Sequence, residues 1–65
     1  MPEKIKFQSD FEKFGAESVV GNCNENRGEE LQFNMLTPKQ ISYAEQNGVK
    51  ITDHGHQIFT AIIPE

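Results

Sequence analysis

Residues 36–49 write a short helix with both of its ends, and any fold open to this chain has to be built around it. Thr37 stands where its hydroxyl can accept from an orphan amide of the first turn. Pro38 follows at the first helical position, where its missing N–H costs nothing. Gln40, three residues after Thr37, completes a capping box, and Leu36 and Ile41 are spaced as a hydrophobic staple across the cap. At the other end Gly48 follows Asn47, and Val49 can touch Ala44 in a Schellman-type closure. The spacing predicts a helix over residues 38–47. A helix of that length spans roughly 15 Å and does not persist alone in water, so packing must hold it. Ile41 and Ala44 mark its inner face. Lys39, Ser42, Glu45 and Gln46 face solvent, with Tyr43 at the boundary. So narrow an apolar face suits a helix lying on one side of a sheet.

Strands supply that sheet. Residues 30–36 show the clearest alternation in the chain: Leu31, Phe33 and Met35 point one way, Glu30, Gln32 and Asn34 the other. Residues 4–8 alternate too, with Ile5 and Phe7 inward and two lysines outward, where they could blunt an edge. Residues 49–52 alternate again, the 53–56 segment reads as a turn around Gly55, and 57–63 is an uncharged apolar run stopped by Pro64. Such a run should be central in the sheet or covered by another subunit. Between Ser9 and Asn22 the signals conflict. Ser9 with Glu12 repeats a capping-box pattern, and Phe11 with Phe14 share a helical face. They suggest a short helix of one or two turns that Gly15 can end, and β-branched Val19 and Val20 favour an extended segment over 16–22. A helix continuing to Val20 is the alternative. Residues 22–28 hold no large apolar residue and read as an exposed loop.

The expected architecture is α+β, a single small domain over residues 1–65: an antiparallel or mixed sheet of three to five strands with one main helix, 38–47, packed on one face. The strand–helix–strand unit over 30–52 has short connections. If its strands are parallel, the crossover should be right-handed with another strand between them, a gap the last strand could fill.

Composition excludes more than it assigns. With 65 residues the chain buries a modest core, and a single cysteine, Cys23, allows no internal disulfide and suits a reducing compartment. Residues 1–4 lead into no apolar run of signal-peptide length, and no stretch is long enough to span a bilayer, so a cytoplasmic location is expected. The net charge of −4 disfavours gripping a phosphate backbone. A helix-turn-helix reading fails because the 38–47 helix offers one cation, Lys39, at the wrong end. No nucleic-acid or membrane partner is expected.

His54, His56 and Cys23 form the one set able to ligate a soft metal, since histidines two apart on an extended segment project the same way. Cys23 is a poor nucleophile: Glu25, Glu29 and Glu30 surround it in sequence, with Arg27 alone opposing them. With no catalytic constellation and little room for a concave pocket, no enzyme activity and no cofactor are expected. The expectation is a small acidic interaction or regulatory domain, an inhibitor or adaptor that binds another protein. Its acidic residues Glu25, Glu29 and Glu30, with Glu17 across a hairpin, could meet a basic surface. Ile58, Thr60 and Ile62 on the 57–63 strand could pair with another chain by strand addition, or with a second copy in a homodimer. The alternative is a metal- or small-ligand-binding module built on Cys23, His54 and His56.

Overall fold

The structure, a computed structural model, describes residues 5–65. Two helices and three strands follow in the order α1 (Asp10–Glu25), β1 (Leu31–Asn34), α2 (Pro38–Gln46), β2 (Lys50–Asp53) and β3 (Ile58–Ile62). The domain is α+β with one small antiparallel sheet, ordered β1-β3-β2. Register pairs Leu31 with Ala61 and Phe33 with Phe59 on one side of β3, and Ile51 with Ala61 on the other. Both outer strands run antiparallel to β3 and are therefore parallel to each other. The last strand fills the gap in the strand–helix–strand unit.

The punctuation of α2 forms as its sequence requires. Thr37 Oγ1 accepts from the Gln40 amide at 3.2 Å, and Gln40 Oε1 accepts from the Thr37 amide at 2.8 Å. At the C-terminus Gly48 takes φ 87°, which an L side chain resists. The Gly48 amide then reaches the Glu45 carbonyl at 3.1 Å and the Val49 amide reaches Ala44 at 3.0 Å. That pair of bonds is the full Schellman closure.

The first half of the chain departs from expectation. In place of a short helix of one or two turns ending near Gly15 and a strand over 16–22, one helix runs from Asp10 to Glu25, the longest element of the fold and longer even than the alternative that ended at Val20. So α2 is not the main helix, and two helices rather than one accompany the sheet. Ser9 caps α1, accepting from the Glu12 amide at 3.1 Å. The residues α1 buries are Glu12, Ala16, Val19 and Cys23, spaced as one helical stripe. Small side chains on that stripe let α1 lie close to α2, and packing overrides the strand preference of Val19 and Val20. The asparagines read as loop formers extend the helix instead. Asn22, Asn24 and Asn26 each donate a side-chain N–H to the carbonyl four residues back, at 2.8 to 3.0 Å, a second bond on oxygens of the helix that satisfies these side chains locally without a turn.

At the N-terminal side, residues 5–7 form no strand, and Gln8 and Ser9 make a bend. Phe7 meets Tyr43 edge-on, with ring centroids 5.6 Å apart, and ties this segment to α2. The expected strand's first residue, Lys4, and the reading of residues 1–4 as no leader fall outside the described residues.

The core is built from Val19 and Cys23 of α1, Ala44 of α2, Val49, and Ala61 and Ile63 at the end of the chain. Leu31, Phe33, Leu36 and Ile51 lie half-buried around it. Along β3, Phe59 and Ala61 turn inward while Ile58, Thr60 and Ile62 alternate to the other face. Met35 does not extend the inward row of Leu31 and Phe33. It is 71% exposed and takes φ 60°, which reverses the side chain beyond the end of β1.

Candidate interaction site

Both helices begin at the same place, and one carboxylate lies between their starts. Glu12, in the first turn of α1, is buried. Its Oε1 accepts the Gln8 amide at 2.7 Å, so the α1 cap closes onto Gln8 rather than back onto Ser9. The Thr37 hydroxyl beside it is the main influence holding Glu12 below the ordinary carboxylate range. The Gln8 hydrogen bond and the Lys39 charge act in the same direction, against the effect of burial. A hydroxyl can accept the Gln40 amide and still donate its own proton to a carboxylate. Two helix N-termini each carry a partial positive charge, and Glu12 neutralises them where they converge.

Gln40 locks the junction. Its Oε1 serves the α2 cap, and its Nε2 donates to the Glu12 carbonyl at 3.0 Å, a buried bond across 28 residues of chain. Gly15 makes room for it: a Cβ there would stand 2.6 Å from Gln40 Nε2. Gly15 is thus a close-approach residue inside α1, not a helix stop.

Over this polar floor lies an open groove of about 240 Å³ whose lining includes Gln8, Ser9, Thr37 and Gln40, with Phe11 and Met35 as its apolar walls. Phe11 is 85% exposed and Phe14, one turn further along α1, 70% exposed. Residues three apart on a helix share a face, so the two phenylalanines stand exposed on the same side of α1. Their spacing was visible in the sequence, but their direction was not. The stripe of Ala16, Val19 and Cys23 packs inward and turns the larger rings out.

The residues singled out from sequence are scattered. Cys23 is completely buried, and burial raises its thiol pKa. His54 and His56 lie exposed in the β2–β3 turn, where His54 Nε2 contacts Thr60 Oγ1 at 2.8 Å. Among the described residues, no three His, Cys, Asp or Glu side chains come close enough to hold a metal ion. Glu25 ends α1, and Glu29 and Glu30 follow in the exposed connection to β1. Glu17 is on α1, so it faces them across no hairpin. Ile58, Thr60 and Ile62 share the sheet face turned away from the core, but β3 is hydrogen-bonded on both sides, by β1 and by β2. Its backbone is not free to accept an added strand. A partner would meet that row of side chains face-on.

Architecture and site together define a small α+β domain: a split strand–helix–strand unit, a long preceding helix, and an apolar rim where the two helices begin. Among the described residues no helix is long and apolar enough to cross a membrane. No protein-family model, curated protein or solved structure matches the chain.

Proposed function

We propose that this protein is a non-catalytic interaction domain, an inhibitor or adaptor that binds another protein through the rim formed by Phe11, Phe14 and Met35. The observation that carries the reading is the exposure of Phe11 and Met35 as walls of one groove, with Phe14 exposed one turn further along α1. Leaving them in water forfeits burial worth about 1.5–3 kcal/mol per side chain, and clustered apolar exposure marks interaction surfaces. The groove offers a partner apolar walls and, at its floor, fixed polar groups for orientation. Glu12, ionised and already engaged, is suited to hold the site's shape rather than to move protons. The acidic residues Glu25, at the opposite end of α1, and Glu29 and Glu30, just past it, offer a second, polar surface able to steer a basic partner. A single buried thiol accords with residence in the cytoplasm.

A photo-crosslinking residue placed at position 11, compared with one at Thr52 on the sheet, tests this in native extract. Position 11 is expected to yield a discrete adduct with another polypeptide, and position 52 none. Adducts at neither position, or at 52 alone, would overturn the reading, and an adduct of twice the chain mass would identify a second copy as the partner.

A further inference from the structure

We propose that the step between Asn47 and Gly48 is a latent self-modification site, which the C-cap of α2 holds shut. The inference is independent of the interaction reading. Asparagine followed by glycine is the pairing most open to cyclisation, because glycine places no side chain beside its attacking nitrogen. Of the asparagines in this chain, Asn22, Asn24, Asn26 and Asn34 are followed by Cys, Glu, Arg and Met, and only Asn47 by Gly. Both residues of the pair are exposed, so water and base have access.

In the reaction the Gly48 nitrogen attacks Asn47 Cγ. A new C–N bond forms, the Cγ–Nδ2 bond breaks, and ammonia leaves carrying the proton given up by the Gly48 amide. Water then opens the succinimide at either carbonyl, giving aspartate or isoaspartate. No oxidant or other co-reactant is needed.

The folded cap opposes each requirement. Attack needs the Gly48 nitrogen swung over the Asn47 side chain, and Asn47 ψ, at 16°, turns it away. The nitrogen must shed its proton, but that N–H is donated to the Glu45 carbonyl at 3.1 Å. The leaving amide is tethered as well, with Nδ2 donating to the Tyr43 carbonyl at 2.8 Å. Reaction therefore waits for the last turn of α2 to open, and its product resists reclosure. A carboxylate at position 47 cannot donate to Tyr43 and puts negative charge against the negative end of the helix. Isoaspartate also lengthens the main chain, shifting Gly48 and Val49 away from the carbonyls of Glu45 and Ala44. The site works as a one-way record of local opening.

The test compares mass gain at the 47–48 peptide in mildly alkaline buffer for the folded protein, the same protein in denaturing urea, and Val49→Ala in native buffer. Reaction in the folded protein should be at least about tenfold slower than in urea, since protection follows the rarity of opening, with Val49→Ala in between. Rates within roughly twofold of each other in folded and urea samples, or no product in urea, would overturn the proposal. So would a folded Val49→Ala that reacts no faster than the parent. Should Val49→Ala fail to fold, the parent comparison decides alone.

Discussion

Met35 donates its backbone N–H to the carbonyl of Gln57 at 2.8 Å, and both residues hold positive φ, 60° and 63°. The bond lies one step past the Asn34–Ile58 pair that ends the β1–β3 ladder. His56 at 54° and Gly55 at 81° continue the left-handed run through the turn from β2. The left-handed region costs an L residue roughly 1–2 kcal/mol, so the sheet carries strain at this end. What that geometry achieves is visible at Met35, whose side chain leaves the inward row and becomes a wall of the groove.

Relieving the strain at one partner should raise stability. Gln57→Gly keeps the carbonyl that Met35 uses and removes the steric penalty, against about 0.5–1 kcal/mol of added chain entropy. A net gain of about 0.5–1 kcal/mol is expected from urea midpoints, while Gly55→Ala should lose stability. A Gln57→Gly variant less stable than the parent would contradict the left-handed geometry.

Gly15 and Gln40 should be coupled. Alone, Gly15→Ala drives a methyl into the Gln40 amide, and Gln40→Ala strips the Thr37 amide of its partner and the Glu12 carbonyl of its second donor, costing about 1–3 kcal/mol. Once Gln40 is alanine the obstruction is gone, and Gly15→Ala should then stabilise by up to about 1 kcal/mol through helix propensity. The sign of the Gly15 effect should thus reverse between the two backgrounds in a double-mutant cycle. Additive effects would place the two residues apart.

That pair also shows what was legible in the sequence. Short-range rules reach a cap, and Thr37, Pro38, Gln40, Gly48 and Val49 all do what local chemistry dictates. The clean alternation around Leu31 and Phe33 pointed to β1, and the uncharged character of residues 57–63 to a strand either central or covered by another subunit, of which the sheet order shows the first. Nothing local says that Gly15 lies beneath a side chain 25 positions later, because the reason for that glycine is a tertiary contact. The α1 stripe was hidden for a related reason. Its members are Glu12, Ala16, Val19 and Cys23, one charged and two small, so apolar periodicity is faint and the brighter signal of Phe11 and Phe14 points to the wrong face. The groove inherits both omissions, since it depends on where α1 turns its rings and on the reversal at Met35.

Acid should weaken the junction through Glu12. Its folded pKa lies below the ordinary value of 4.5, so its contribution is full above that value and is lost as pH falls through the depressed one. Thr37→Val removes the hydroxyl that contributes most to lowering that pKa, and Glu12→Gln removes the titration. Stability plotted against pH should show a shallower acid limb in both variants. An acid limb in Glu12→Gln as steep as the parent's would assign the loss to other carboxylates.

α1 turns its small residues inward and leaves Phe11 and Phe14 exposed, and we propose that a partner covers them. The most direct measurement joins stability to binding in Phe11→Ser/Phe14→Ser. A urea midpoint corresponding to within about 0.5 kcal/mol of the parent's stability, as for surface substitutions, together with loss of the crosslinked partner, is the expected result. A variant that unfolds, or one that keeps its partner undiminished, would contradict it.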